Sequence, residues 1–203
     1  FEYSKACGYV MKIGVLALQG AFIEHIHILK KLGADAVPIR LPDELGALDG
    51  LIIPGGESTT IGKLAVMYNF IEPLRCFAQK KPLWGTCAGM ILMAKDIGRD
   101  QPLLDVMDIV VERNAFGRQQ QSFEEDLYVS CLQNGKTMPF HGVFIRSPKL
   151  LVARGKASVI ARLADSTPVA AIERRLLVTS FHPELTDDPR FHHFFLSLTK
   201  NPS

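Results

Sequence analysis

Lys81 to Met93, with the sequence KPLWGTCAGMILM, decides the fold of this chain. A short apolar run, a glycine-framed turn and a second apolar run predict a buried strand, a sharp turn and a helix. Cys87 at the tip matches the nucleophile elbow, Gly-x-nucleophile-x-Gly, with sulfur in place of a serine oxygen. Its neighbours Gly85, Ala88 and Gly89 are small, as such a cramped turn requires. Cys87 is therefore a candidate nucleophile, and a buried structural cysteine is the alternative.

The composition excludes several classes of protein. With 203 residues, 47% hydrophobic and 22% charged, the chain fits one globular domain with a substantial core. The net charge of +2 gives no reason to expect binding to nucleic acid or to an anionic membrane. No apolar segment approaches the roughly 20 residues that span a bilayer. The four cysteines are far apart, so we expect no metal site, no disulfide framework and a reducing cytoplasm.

The chain is predicted to be a single domain. Residues 1–10 precede Met11 and lack a signal-peptide pattern, so we interpret them as an extension or an expression remnant. Residues 11–203 contain no linker, low-complexity tract or internal repeat that would favour a second domain.

Apolar runs alternate with helical patterns along the first half of the chain. Lys12–Leu18 is nearly all apolar, as in a strand buried on both faces of a parallel sheet. The pattern predicts an α/β fold, a doubly wound and mostly parallel sheet flanked by helices. Further strands are predicted at Ala36–Leu41, Leu51–Ile53, Asp108–Arg113, Asp126–Leu132, Phe140–Ile145, Ser158–Leu163, Val169–Glu173 and Leu176–Ser180. Helices are predicted from Ala21 to Leu32, from the Gly55-Gly56 turn through Met67, after Cys87, and from Pro189 to Lys200.

A glycine pair follows the third predicted strand. Gly55-Gly56 precedes Glu57-Ser58, and without a Cβ its N–H groups could approach a ligand closely. An oxyanion hole requires such N–H groups. A phosphate-binding loop and a plain helix N-cap are the alternatives. No Gly-Lys-Ser/Thr sequence follows, which argues against a Walker nucleotide loop.

A histidine and a glutamate end the last predicted strand. His182 and Glu184 are two residues apart in an extended segment, so their side chains point to the same side. Glu184 could orient the imidazole of His182, which could in turn accept a proton from Cys87. Ligands of open α/β sheets bind at the carboxyl ends of the strands, where all these segments lie. A lone His-Pro-Glu would instead indicate only a helix start.

Together these motifs resemble a known family. The chain is similar from Met11 to Lys200 to the class I glutamine amidotransferases, which carry a Cys-His-Glu triad. Within that family it most resembles the glutaminase subunits of pyridoxal 5′-phosphate synthases. The resemblance rests on six segments in one order: Leu18-Gln19-Gly20, Pro54-Gly55-Gly56-Glu57-Ser58-Thr59-Thr60, Gly85-Thr86-Cys87-Ala88-Gly89, Val111-Glu112-Arg113-Asn114, Phe144-Ile145-Arg146 and Phe181-His182-Pro183-Glu184-Leu185.

The resemblance implies a role for each matching residue. Cys87 is the expected nucleophile, and His182 and Glu184 complete the triad. Backbone N–H groups of Gly55, Gly56 and Ala88 are the expected oxyanion hole. The resemblance also implies glutamine contacts from Gly56, Glu57, Ser58, Arg113, Ile145 and Arg146.

It further implies hydrolysis of L-glutamine to L-glutamate and ammonia, without a cofactor. The ammonia would pass to a (β/α)₈-barrel synthase subunit that builds pyridoxal 5′-phosphate (vitamin B6). Such a barrel needs about 250 residues by itself, so this partner must be a separate chain in a heteromeric complex. The glutaminase of another pathway, such as imidazole glycerol phosphate synthase, a γ-glutamyl hydrolase and a non-catalytic regulatory subunit are the alternatives.

Other reactive residues have plain structural interpretations. Cys76 and Cys131 are predicted to be thiols without a catalytic role. His25 and His27 are predicted to lie on a solvated helix face, and His192 with His193 on the last helix to be structural. One departure from the family pattern is Gly62-Lys63, where relatives often carry a bulkier or more basic pair. It bears on contact with the partner and leaves the triad unaffected.

Overall fold

The structure is a computed structural model that describes residues 9–113 and 122–200. Nearly all of the predicted extension 1–10 therefore lies outside the described residues. The strands are β1 Lys12–Leu16, β2 Asp35–Ile39, β3 Gly50–Ile53, β4 Leu83–Thr86, β5 Ala94–Asp96, β6 Met107–Glu112, β7 Ser122–Leu127, β8 Phe140–Ile145, β9 Lys149–Ala153, β10 Ser158–Arg162, β11 Pro168–Glu173 and β12 Leu176–Thr179. The α-helices are α1 Phe22–Lys31, α2 Ser58–Met67, α3 Ile71–Lys80, α4 Ala88–Met93 and α5 Arg190–Thr199, with 3-10 helices at Pro42–Ala47 and Pro183–Leu185.

The main sheet has seven strands in the order β10-β11-β12-β4-β3-β1-β2. The four pairings from β12 to β2 are parallel, while β10 and β11 pair antiparallel. Every residue of β3, β4 and β12 is buried, which explains their uninterrupted apolar composition. The predicted mostly parallel sheet is confirmed, and β11 and β12 form an antiparallel hairpin at one side of it.

Helices cover both faces of this sheet. On one face, α2, α3 and α4 bury residues such as Phe70 and Leu92. On the other, Trp84 from β4 packs against Phe191 and Phe195 of α5. Both faces of β4 therefore lie in hydrophobic cores, which fixes the position of the turn that follows it.

The strand register brings three chain segments to one edge. Ile53 of β3 pairs with Gly85, and Thr179 of β12 pairs with Thr86. Because these strands are parallel neighbours, the residues after Ile53, Thr86 and Thr179 emerge side by side at the carboxyl edge.

Two small sheets complete the fold, β5-β6-β9 and β7-β8. The strand prediction at Asp126–Leu132 is wrong beyond Leu127. The strand runs from Ser122 to Leu127 and pairs with β8, and Val129 and Leu132 lie in the turns that follow. Both are buried, so their β-like composition reflects packing rather than strand pairing.

Helix α3 is not predicted by the sequence patterns. Pro73 interrupts its helical pattern of polar and apolar residues. It is tolerated because it lies in the first turn, where backbone N–H groups have no acceptor within the helix and the missing N–H of proline costs no hydrogen bond. Leu74 and Phe77 form the buried face. None of the helices within the described residues is long and apolar enough to cross a bilayer.

Candidate active site

Cys87 occupies a strained turn between β4 and α4. Its φ is 48° and its ψ is −102°, a conformation that non-glycine residues rarely adopt. The backbone segments approach closely here: a Cβ added at Gly89 would lie only 2.1 Å from the carbonyl oxygen of Ile53, so a larger residue does not fit. The Cys87 N–H donates to the carbonyl oxygen of Thr179 at 2.8 Å. The fold thus anchors the elbow to both neighbouring strands.

His182 and Glu184 meet Cys87 at this edge. His182 Nδ1 lies 2.7 Å from Glu184 Oε1, and interaction with Cys87 is among the influences that raise the pKa of His182. Gly55 lies next to both His182 and Cys87, because a Cβ added at Gly55 would lie 2.5 Å from His182 Cε1 and 3.4 Å from Cys87 Cβ. The His182 N–H donates to Val143 of β8 at 2.8 Å. The structure therefore brings the three predicted triad residues and Gly55 together.

The environment of His182 favours its protonated form. Burial is the largest single influence and lowers its pKa, but hydrogen bonds and charge interactions with Cys87 and Glu184 outweigh it and raise the pKa to about 10. A protonated imidazole at this position can give its proton to a leaving group.

The Gly55-Gly56 turn is tied to the loop after β1. The Gly55 carbonyl accepts from the Ala21 N–H at 3.1 Å. Because the C=O and N–H of a trans peptide point in opposite directions, the Gly56 N–H faces away from Ala21. Gln19 Oε1 accepts from the Glu57 N–H at 2.8 Å. On the other side of Cys87, the Ala88 N–H is the first of α4 and has no acceptor within the helix.

Glu57 and Arg113 form a charged pair near the start of α2. Glu57 accepts from the N–H groups of Thr59 and Thr60, so it caps this helix. The hydrogen bond from the Thr60 hydroxyl is the largest influence on Glu57, whose pKa is lowered to about 2. Arg113 contacts Glu57 Oε1 at 3.2 Å and donates to Thr59 and Gln101, each at 2.9 Å. Thr59 and Gln101 as partners of Arg113 are not predicted by the sequence.

The remaining predicted glutamine contacts are Ile145, Arg146, Ser58 and Gly56. The Ile145 carbonyl oxygen lies 4.0 Å from Cys87 Sγ. Arg146 follows, exposed and with a φ of 47°. Ser58 is buried, and its hydroxyl has no hydrogen-bond partner among the described residues. Gly56 is exposed beside Gln19.

The prediction that His25 lies on a solvated face is wrong. His25 is completely buried, with Nδ1 2.8 Å from His192 Nε2 and Nε2 3.4 Å from Glu184 Oε2. Its spacing from the apolar residues of α1 reveals this, because it lies three residues after Phe22 and four before Leu29. His27 is exposed, in agreement with the prediction.

The two buried histidines make the fold sensitive to acid. Burial, the largest influence on both, lowers the pKa of His25 well below 6.5 and that of His192 to about 3. The unfolded chain takes up protons below pH 6.5 while these folded imidazoles do not, so stability is lost as the pH falls below 6.5. His192 is expected to cost roughly 1 kcal/mol of stability between pH 7.5 and 5.5, and His25 acts in the same direction. His182, with its raised pKa, acts in the opposite direction.

Urea unfolding of the His192→Phe variant tests this effect. The drop in unfolding free energy between pH 7.5 and 5.5 should be smaller than in wild type by roughly 1 kcal/mol. His182 and the carboxylates contribute alike to both proteins. The exposed His27→Phe substitution is the control and should leave the drop unchanged. An equal drop in wild type and His192→Phe would contradict a neutral, buried His192.

Comparisons with known proteins show which proteins this chain resembles. Residues 15–201 match the model of the SNO glutamine amidotransferase family. The chain is 52% identical over 193 residues to a pyridoxal 5′-phosphate synthase subunit PdxT of Herpetosiphon aurantiacus, covering 93% of this chain and 100% of that one. The PdxT of Geobacillus kaustophilus is 50% identical over 192 residues, covering 94% and 95%.

Solved structures give the same result. A crystal structure described as a glutamine amidotransferase is 49% identical with a TM-score of 0.87, covering 93% of this chain and 99% of that chain. The structure of PurLQS from Thermotoga maritima has a TM-score of 0.70 at 14% identity, covering 93% of this chain and 99% of that chain. At that identity it supports the fold alone.

Proposed function

The chain belongs to the SNO glutamine amidotransferase family, and on this premise we propose that Cys87, His182 and Glu184 hydrolyse the side-chain amide of L-glutamine to L-glutamate and ammonia. The observation that carries this assignment is that Cys87 and His182 both lie against Gly55, with His182 Nδ1 2.7 Å from Glu184 Oε1. A thiol, a base and an orienting carboxylate in that order are the parts needed for nucleophilic acyl transfer.

In the first half of the reaction, Cys87 attacks the amide carbon of glutamine. His182 holds the proton taken from the thiol and gives it to the leaving ammonia. The tetrahedral oxyanion is bound by the N–H groups of Ala88 and of the Gly55-Gly56 turn. Loss of one such donor typically costs about 10²–10³ in rate.

In the second half, water hydrolyses the γ-glutamyl thioester on Cys87. His182 accepts a proton from this water and returns it to the departing sulfur. Glu184 keeps the imidazole in the tautomer whose Nδ1–H faces the carboxylate, so that Nε2 faces Cys87 in both halves.

Charged and main-chain groups around the triad recognise the amino acid end of glutamine. We assign the α-carboxylate to the arginines Arg113 and Arg146, since a guanidinium binds a carboxylate in a bidentate manner. We assign the α-ammonium to Glu57, which remains ionised because hydrogen bonds lower its pKa to about 2. Main-chain and hydroxyl groups supply the other contacts: Gly56, Ser58 and Ile145.

We assign the chain to a heteromeric pyridoxal 5′-phosphate synthase in the cytoplasm, as its glutaminase subunit. Its relatives at 50–52% identity carry the name of that subunit. Free ammonia would be protonated in water, so a dedicated acceptor is required. We propose that this acceptor is a (β/α)₈-barrel subunit, called here the synthase. Cys76, Cys87 and Cys131 are free thiols, as in a reducing compartment.

Catalysis is expected to depend on the synthase. Glycine peptides change conformation at little cost, so the free subunit can populate states in which the Gly55-Gly56 peptide does not serve the oxyanion. A synthase that binds the competent state better shifts this equilibrium, and a few kcal/mol suffice. The expected result is a kcat for glutamine hydrolysis that rises with added synthase, at saturating glutamine, until the complex is complete.

The same titration separates the alternatives. A γ-glutamyl hydrolase would have a flat kcat and would prefer γ-glutamyl peptides, and a non-catalytic subunit would release no glutamate at any synthase concentration. Activation by the partner from another pathway, and not by the pyridoxal 5′-phosphate synthase, would overturn the assigned pathway and leave the glutaminase chemistry intact.

A further inference from the structure

A buried polar chain continues behind the triad, beyond the residues that the mechanism uses. Glu184 Oε2 is inaccessible to solvent and meets no hydrogen-bond criterion within the described residues. The ring nitrogen that faces it is His25 Nε2, at 3.4 Å. Thr86 Oγ1 lies 3.4 Å from the same nitrogen. On its other side, His25 Nδ1 lies 2.8 Å from His192 Nε2. Buried charged oxygens require a donor, and His25 is in place to supply it.

One pair of tautomers leaves no N–H of these two histidines buried without an acceptor. If His25 Nε2 carries the proton, it can donate to Glu184, and Nδ1 then accepts from His192 Nε2–H. In the opposite arrangement, a lone pair of His25 Nε2 would face the carboxylate. The proton on His192 Nδ1 would then be buried without an acceptor, since His192 Nδ1 has no hydrogen-bond partner among the described residues. An orphaned buried donor and a repulsive contact both cost free energy.

The electrostatics agree with neutral imidazoles. Burial, the largest influence, together with electrostatic interactions with His192 and His182, lowers the pKa of His25 well below 6.5. Burial likewise lowers the pKa of His192 to about 3. The groups around His25 are Glu184, His182, His192, Thr86 and the edge of Trp84.

On the basis of the proposed function, we propose that His25 is a positioning residue for catalysis: its Nε2–H holds the second oxygen of Glu184, and His192 fixes its tautomer. A carboxylate held at both oxygens cannot rotate about its terminal bond. It therefore keeps His182 Nδ1–H directed away from Cys87 and His182 Nε2 directed toward it. Loss of the contact between His25 and Glu184 should therefore slow the chemical step and leave glutamine binding unchanged, because His25 is buried behind the triad.

Two isosteric substitutions separate this role from simple packing. In His25→Gln the side-chain amide nitrogen can occupy the place of Nε2 and still donate to Glu184, whereas in His25→Asn it can reach only the place of Nδ1. In the complex with the synthase, His25→Asn should lower kcat for glutamine hydrolysis on the order of 10-fold with KM unchanged, the size expected for a lost hydrogen bond to a charged group. His25→Gln should restore most of the kcat.

A double-mutant cycle with Glu184→Gln shows whether His25 acts through Glu184. In the Glu184→Gln background the effect of His25→Asn on kcat should largely disappear. Thermal unfolding of each variant verifies that it is folded at the assay temperature. Equal kcat values for His25→Asn and His25→Gln, or an undiminished effect of His25→Asn in the Glu184→Gln background, would overturn the proposal. Absence of glutamine hydrolysis by the wild-type complex would instead overturn the proposed function.

Discussion

Cys87→Ala is expected to abolish glutamine hydrolysis while leaving the fold and the binding of the synthase intact. The loss should be about 10⁶-fold, as when a triad nucleophile is removed elsewhere, because the remaining groups cannot form a thioester. Folding should survive, since alanine is smaller than cysteine and the backbone strain at a φ of 48° is similar for both side chains. Steady-state glutamate release by the complex measures the effect, and co-purification with the synthase measures binding.

The other cysteines provide matched controls. Cys76 and Cys131 are exposed and free, so Cys76→Ala and Cys131→Ala should retain wild-type kcat. Turnover by Cys87→Ala at the wild-type rate would show that another group is the nucleophile. Loss of synthase binding in Cys87→Ala would show that this substitution disturbs more than the chemistry.

The second large effect distinguishes the base from the residue that orients it. His182→Asn removes the nitrogen that exchanges protons with Cys87, yet its amide can still donate to Glu184 from the place of Nδ1. It should cost nearly as much as loss of the thiol, because triad members act as a unit. Glu184→Gln keeps the shape and weakens only the orientation and charge support, so its loss in kcat should be roughly 10–100-fold smaller.

The order of these two losses is the informative result. Both variants are compared in the complex, at saturating glutamine, so that differences in substrate binding do not enter. If Glu184→Gln proved to be the less active of the two, Glu184 would have a direct part in proton transfer, and the assigned roles would have to be exchanged.

The sequence predicts the fold and the position of the proposed triad because both depend on short-range rules. Apolar runs without alternation identify β1, β3, β4 and β12, and the glycine-framed turn identifies the elbow at Cys87. Parallel order then places the ends of these strands at one edge without further information. The predicted strands at Lys12, Phe140 and Leu176 begin at the residues where the structure begins them.

Features that depend on tertiary packing are the ones that the sequence misses. Val129 and Leu132 look like strand residues but fill the core from a turn. The spacing of His25 from the apolar residues of α1 indicates its burial, but its contacts with Glu184 and His192 join distant parts of the chain and cannot be read from local patterns. The pairing of Arg113 with Glu57 also joins residues 56 positions apart, a separation over which local patterns carry no information.

The central claim is that Cys87 is the nucleophile that attacks glutamine, and covalent trapping tests it most directly. The complex with the synthase is treated with an electrophilic glutamine analogue, and the modified cysteine is identified by peptide mass spectrometry. The expected result is a label on Cys87, prevented by excess glutamine, with Cys7, Cys76 and Cys131 unmodified. A label on one of those three cysteines instead, or a Cys87 label that glutamine does not prevent, would contradict the claim.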